Sequence, residues 1–422
     1  LLPLFKAQLF QREEFSFMTS QSCASSASFR LSPLRLPLQQ WLRHSKKAGW
    51  FTLLLWLVAI APAQAESLTL RVAIDQDVKQ IKIGSSTDAM LTDGAGQALA
   101  PIPAMNAVMT EAKAGGIAVN QLQTSQACIE PSNGGYVFID DRWYRGSTCV
   151  VPSEGGLTAV NYVDIEQYLY SVVGSEMPTS WSLEALKAQA VAARSYVIYQ
   201  RQSGATALFD VGNTTAWQVY AGIEKEAAST RAAVDSTQGQ VLTYNGQTID
   251  AVFHSCAGGR TENSEDIWSS ALPYLRSVES PDQDAPNCRW DKTVSAAELS
   301  KHYADVGTIL RMEPEKVTAG GRIIQIRLEG DAGSRVIDGD DLRDALDLRS
   351  APFQIIPQMG QVASAGSVTS APTAFQLTGQ GYGHGIGMSQ WGAQKLAQQN
   401  WNYAQILLHY YTGAELRRIE VQ

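Results

Sequence analysis

The sequence predicts an α+β protein with mixed, largely antiparallel sheets and a helical segment lining a cleft. Three observations carry that expectation. Residues 68–163 run as short β-rich stretches broken by turn residues. Residues 163–202 hold two stretches with apolar residues at helical spacing. Beyond Gly204, helical and strand patterns alternate, with no internal repeat.

Taken in order, SLTLRVAI, VKQIKIG, GGYVFIDDRWYRG, STCVV and LTAVNYV are rich in β-branched and aromatic residues, with Asn133-Gly-Gly just before the third. They read as antiparallel strands. Helices are expected over 163–174 and 183–202, joined by Ser175-Glu-Met-Pro-Thr-Ser-Trp-Ser182. Ser182 suits an N-cap, and Glu184 suits the positive end of the helix dipole. A helix near 224–237, strands near 239–244 and 249–254, and a polar loop to Trp268 follow. Residues 339–348 read as a short helix with Leu342, Ala345 and Leu346 on one side, and 403–411 as the last helix. Residues 358–373, QMGQVASAGSVTSAPT, are low in complexity and are expected to form a surface loop. The expected organisation is a leader over 1–65, a β-rich part over 66–160 and a third region over 161–422 carrying the candidate site.

The N-terminus indicates the compartment. Arg43, Lys46 and Lys47 precede an apolar run over 50–60, and Ala61-Pro-Ala-Gln-Ala65 offers an Ala-x-Ala cleavage site. The run is shorter than the roughly 20 apolar residues a membrane-spanning helix needs. A cleaved export signal is expected, with the mature protein in the periplasm or cell wall. Loss of 1–65 leaves 26 basic against 39 acidic residues, a net −13. Such acidity argues against nucleic acid as a partner.

Four cysteines remain, an even set for an exported chain: Cys128, Cys149, Cys256 and Cys288. Three pairings exist, and closeness in sequence favours Cys128–Cys149 with Cys256–Cys288. The competing use is a zinc site from His254, Cys256 and Cys288. It lacks a C-x-x-C or H-E-x-x-H core, so no metal is the leading expectation.

Several constellations are candidates for chemistry. Glu176 lies in a Gly-Ser-Glu-Met-Pro segment near Trp181, where apolar neighbours would raise its pKa and keep it protonated as a general acid. Lys187 and Arg194 are two helical turns apart, about 10.5 Å along one face, and could grip a long polar ligand. An ordinary solvated face is the alternative. His254-Ser-Cys-Ala-Gly-Gly-Arg-Thr-Glu ends a strand with polar groups, but neither G-x-S-x-G nor a papain-type segment accompanies it. In GQGYGHGIGMSQWGAQ, glycine at 379, 381, 383, 385 and 387 alternates with Gln380, Tyr382, His384 and Ile386. Extended, that stretch would present a bare face to something flat; a mobile glycine loop is the other reading.

Three blocks in this order, DIEQYLYSVVGSEMPTSWSLEALKAQAVAARSYV, FHSCAGGRTENSEDIW with PYLRSVESPD, and GQGYGHGIGMSQWGAQKLAQQNWNYAQILLHYYTG, resemble the SpoIID/LytB family of stage II sporulation protein D and amidase enhancers. The resemblance implies a cell-wall protein and, for the sporulation branch, a lytic transglycosylase acting on peptide-free peptidoglycan glycan strands. It places the catalytic acid on Glu176 and substrate-binding cations on Lys187 and Arg194. The His254 loop and the His384 segment match motifs near the family's cleft, so His254, Tyr382, His384 and Gln390, with Tyr274 of PYLRSVESPD, are further substrate-binding candidates. Some members bind zinc near the histidine loop. The alternative function is a non-catalytic enhancer that binds cell wall and activates a separate N-acetylmuramoyl-L-alanine amidase. A glycan ribbon lying on the glycine-cleared floor beside Tyr382, His384 and Gln390 would fit the first function.

The leader yields a direct expectation. N-terminal sequencing of exported protein should begin at Glu66, the residue after Ala65, and recovery of chains that keep residues 50–60 would refute the cleavage site.

Overall fold

The computed structural model describes residues 68–419, apart from 269, 365 and 366. The predicted leader and its cleavage point lie outside these residues. No described helix is long and apolar enough to cross a membrane. The fold is α+β, as expected, and the helices pack against several mostly antiparallel sheets.

The N-terminal strands build a seven-stranded and a six-stranded sheet. Thr69–Val78 pairs antiparallel with Gly156–Asp164, which pairs with Ser147–Ser153. Alternating Leu70 and Val72, with Leu157, Ala159 and Val163 opposite, point into one core. Cys128 and Cys149 face each other across neighbouring strands and are disulfide-bonded. The Asn245-Gly246 hairpin has φ of 50° and 78° at its two central residues, the left-handed pair a two-residue turn requires.

Asp164 starts the helix Ile165–Glu176 by accepting from the N–H groups of Glu166 and Gln167. The next helix, Leu183–Gly204, has Leu186, Ala190, Ala193 and Val197 buried as its spacing predicts. Its other faces are covered too. Ala188, Gln189, Val191, Ala192, Arg194 and Ser195 are also buried, so it is a central helix rather than an amphipathic one.

That burial corrects the reading of Arg194. The residue is 0% exposed. Its Nε donates to Glu166 Oε1 at 2.9 Å, its Nη2 to Glu166 Oε2, and its Nη1 to the Gln240 carbonyl at 3.1 Å. Gly239 N–H donates to the same carboxylate at 3.0 Å. Arg194 therefore ties two helices to the strand Gln240–Tyr244 and has no route to a ligand. Lys187 is likewise engaged, its Nζ 2.8 Å from Glu184 Oε1 and 5.7 Å from the centre of the Tyr403 ring.

Between Cys288 and Gly381 the chain builds a second hydrophobic core. Its centre is Val294, Leu299, Ile309, Ile326, Leu328, Leu342, Phe375 and Leu377. Arg289–Ser295 enters it and Ser367–Gln380 leaves it as antiparallel neighbours, with Arg289 opposite Gln380. The stretch 358–373 is not a loop. It belongs to a long hairpin of Phe353–Ser364 and Ser367–Gln380. Its small residues carry little apolar signal, and ladder pairing with the partner strand supplies what local sequence does not.

Replacing Arg194 with alanine would leave the Glu166 carboxylate without its guanidinium partner. It should destabilise the fold by about 3–5 kcal/mol in chemical denaturation. Lys187→Ala should cost about 1 kcal/mol or less.

Candidate functional site

Glu176 is the last residue of its helix. Met177, extended and buried, breaks the helix just before Pro178, as residues preceding proline tend to do. The carboxyl group therefore projects from a fixed end. Oε1 accepts from the backbone N–H of Val219 at 2.9 Å, and Oε2 from Gln390 Nε2 at 3.3 Å. Burial pushes its pKa above the ordinary value, and the two donors pull only partly against that. The enclosing walls are Tyr196, Trp217, Val252, Phe253 and Trp268. Trp181 packs elsewhere, with its ring centre 4.6 Å from that of Trp391.

Glu176 borders two hollows that also share Thr215, Phe253 and His384. The smaller, about 280 Å³, is aromatic. The larger, about 660 Å³, is lined by His254, Ser255, Tyr382, His384 and Gln390 together with Arg343, Asp347, Leu348 and Arg349. Tyr382 is 45% exposed, so its ring is available to a ligand.

The two histidines are locked as neutral rings. His254 donates from Nδ1 to the Ile386 carbonyl at 3.0 Å. His384 donates from Nε2 to the Phe253 carbonyl at 2.9 Å and accepts at Nδ1 from Ile386 N–H at 3.1 Å. Burial drives both pKa values down to about 3, helped at His384 by His254 and at both by Arg322. These carbonyl and amide partners set the tautomers. His254 Nε2 is left as a buried acceptor with no partner among the described residues.

The glycine run has a different conformation from the extended one expected. Gly381, Gly383, Gly385 and Gly387 have φ of 91°, 108°, 81° and 71°. The bare backbone faces the protein itself. A Cβ on Gly383 would lie 2.8 Å from His254 Cβ, and one on Gly387 would lie 2.1 Å from the Val252 carbonyl oxygen. Glycine is needed here because the segment twists against residues 252–258, so there is no flat floor for a ligand.

Of the residues singled out in the sequence, Glu176, His254, Tyr382, His384 and Gln390 are brought together. Lys187, Arg194 and Tyr274 are not. Tyr274 is buried behind the site, its hydroxyl accepting from Asp250 N–H at 3.3 Å and its ring 5.8 Å from that of Tyr244. The zinc set does not assemble either. Cys256 and Cys288 are bonded to each other, and the nearby Asp282 already accepts from Ala257 N–H, Gly259 N–H and the Ser389 hydroxyl. In this state the cluster offers no thiolate to a zinc ion.

Sequence reasoning missed the Thr215–Val219 segment, whose signal was an aromatic residue amid small polar ones in a stretch without periodicity. It also missed Arg343, Asp347 and Arg349, which come from the second core.

Comparison with known proteins supplies the kinship. Residues 153–244 match the family described as Stage II sporulation protein, SpoIID, and residues 275–387 match a domain of unknown function. An uncharacterised protein of Brachyspira hyodysenteriae is 34% identical over 274 residues, which is 65% of this chain and 72% of that one. Stage II sporulation protein D of Bacillus subtilis is 34% identical over 281 residues, 61% of this chain and 76% of its own. The amidase enhancer of the same species is 33% identical over 290 residues, 59% of this chain but 40% of its own. Identity at this level over three quarters of the sporulation protein, with the family match spanning the helices that fix Glu176, establishes that the chain belongs to the SpoIID family.

Proposed function

We propose that the protein is a peptidoglycan lytic transglycosylase that cuts peptide-free glycan strands, with Glu176 as general acid and then general base. One observation carries this reading: an enclosed carboxyl with a raised pKa at the junction of two hollows, aimed by the Val219 N–H and the Gln390 amide. An acid must hold its proton until the bond breaks, and a desolvated carboxyl does so nearer neutral pH than an exposed one.

Hydrolysis of a glycosidic bond ordinarily adds a second carboxylate to activate water or attack. A lytic transglycosylase dispenses with it. Glu176 protonates the leaving glycosidic oxygen as the C1–O bond breaks. It then takes the proton of the muramic 6-hydroxyl as O6 bonds to C1 of the same sugar, giving a 1,6-anhydro end. The nucleophile is tethered to the reacting carbon, which removes much of the entropic barrier. Trp217, Trp268 and Tyr382 offer aromatic faces for sugar rings. His254 and His384, held neutral, keep the glycine segment in place through the Ile386 and Phe253 backbone groups.

The name of the Bacillus amidase enhancer favours a second reading, in which the protein binds cell wall and activates a separate amidase. Mass spectrometry of peptide-free strands incubated with the mature protein separates the two. Anhydro ends support cleavage by the protein itself; intact strands, with stimulation of an added amidase, support the enhancer.

Glu176→Gln should lower release of anhydro fragments by about 10²–10⁴-fold with the fold kept. Asp347→Asn, which removes the other carboxylate of the larger hollow, should leave the anhydro product unchanged. An Asp347 variant that lost all cleavage, with a wild type that produced reducing ends, would mark a hydrolase instead.

The raised pKa also has a stability signature. Below the ordinary value of 4.5, Glu176 is protonated folded and unfolded alike. As pH rises, the unfolded chain ionises first, and stability is lost until pH passes the folded value. Thermal melts should show Glu176→Gln gaining on the wild type at pH 8 and matching it at pH 4.

A further inference from the structure

The cleft is lopsided in charge. Its smaller hollow is walled by aromatic and aliphatic side chains, with Glu176 as the one ionisable acid among its described lining residues. Its larger hollow is lined by two arginines, Arg343 and Arg349, and, besides Glu176, by one further carboxylate, Asp347. Arg343 lies on the helix Gly339–Ala345, and Asp347 and Arg349 lie just beyond it, where the buried Leu346 and Leu348 anchor the chain in the second core.

Both guanidinium groups are set in place by the backbone. Arg349 Nη1 donates to the Asn287 carbonyl at 3.0 Å, and its guanidinium carbon lies 5.7 Å from the centre of the Tyr382 ring. Arg343 Nε donates to the Leu348 carbonyl at 3.3 Å. Each of these bonds uses one of the five donors on its fork. Behind the wall, buried Arg322 donates to the Gly383 carbonyl at 3.0 Å, with Asp340 and Glu262 as its nearby acids.

Resting on the glycan-cutting reading, we infer that Arg343 and Arg349 bind the free lactyl carboxylate of the N-acetylmuramic acid whose bond is cut. The larger hollow takes that sugar, and the aromatic hollow takes the uncharged N-acetylglucosamine that leaves. The strand alternates the two sugars, and only one of them carries a carboxyl group. Where a stem peptide is attached, that carboxyl is an amide and carries no charge. A planar guanidinium fork matches a carboxylate and has no comparable hold on an amide. The same pair of side chains thus fixes the direction of the strand across Glu176 and selects strands without peptides. Asp347 moderates the pull, since it faces the same lobe.

The test uses Glu176→Gln protein, so that ligands are bound and not consumed. Three octasaccharides are titrated calorimetrically: a peptide-free peptidoglycan strand, the same strand with its carboxyl groups converted to methylamides, and chitooctaose. The peptide-free strand should bind about tenfold tighter than the other two at low salt. The advantage should shrink at high salt. Adding Arg343→Gln with Arg349→Gln should bring all three ligands within about twofold, while the corresponding lysine pair should keep part of the preference through charge without the fork. Trp268→Ala should weaken all three alike. Equal binding of the three ligands, or an undiminished preference in the folded glutamine pair, overturns the inference. If the glutamine pair does not fold, a lysine pair that kept the whole preference at high salt would overturn it as well. If none of the three octasaccharides bound, the glycan-cutting reading itself would be overturned.

Discussion

The site depends on how closely residues 381–391 approach residues 252–258. Phe253 and His254 pair in parallel with Met388 and Ser389, and Cys256 exchanges both backbone hydrogen bonds with Tyr382. Trp391 N–H then donates to the Ser255 carbonyl at 3.0 Å. Side chains at Gly383 or Gly387 would push the strands apart, and this pairing delivers Gln390 to Glu176. The two histidines face carbonyls across the same seam. The disulfide from Cys256 to Cys288 and the Asp282 carboxylate, which binds Ala257, Gly259 and Ser389, fasten its far side.

A buried carboxyl and two buried imidazoles are costly to enclose, and the surrounding bonds are what make the arrangement stable. The partners of Glu176 and the histidines are mostly backbone groups, which cannot rotate away. That geometry is fixed by the fold itself, which holds the carboxyl and both imidazoles in single orientations. The Arg194–Glu166 pair beneath it serves the same end by holding the acid-bearing helix to the central one.

Much of this was legible from sequence, for physical reasons that differ by residue. The helices around Glu176 announce themselves through apolar spacing, although the first runs two residues past its expected end at Gly174 and so takes in Glu176. Gln390 and Tyr382 stand in one short motif, so proximity in sequence became proximity in space. Arg194 was misread because helical spacing shows which residues share a face, not which face is covered; Glu166 and Gln240 cover this one from far along the chain. The glycine run was misread because alternation looks the same whether φ is negative or positive. The Val219 amide is a backbone group and leaves no trace in residue identity. Residues 358–373 looked featureless because a strand of small residues is specified mainly by its partner.

The second core leaves and rejoins the chain at a single point. Arg289 stands opposite Gln380, and Gly381 N–H donates to the Cys288 carbonyl at 2.7 Å. A segment rooted in this way adds almost nothing to the path between the disulfide and the glycine segment. It supplies Arg343, Asp347 and Arg349 to the larger hollow, whereas Glu176, Val219 and Gln390 come from the chain outside it. The cleft is thus furnished from two hydrophobic cores clasped at one stapled socket.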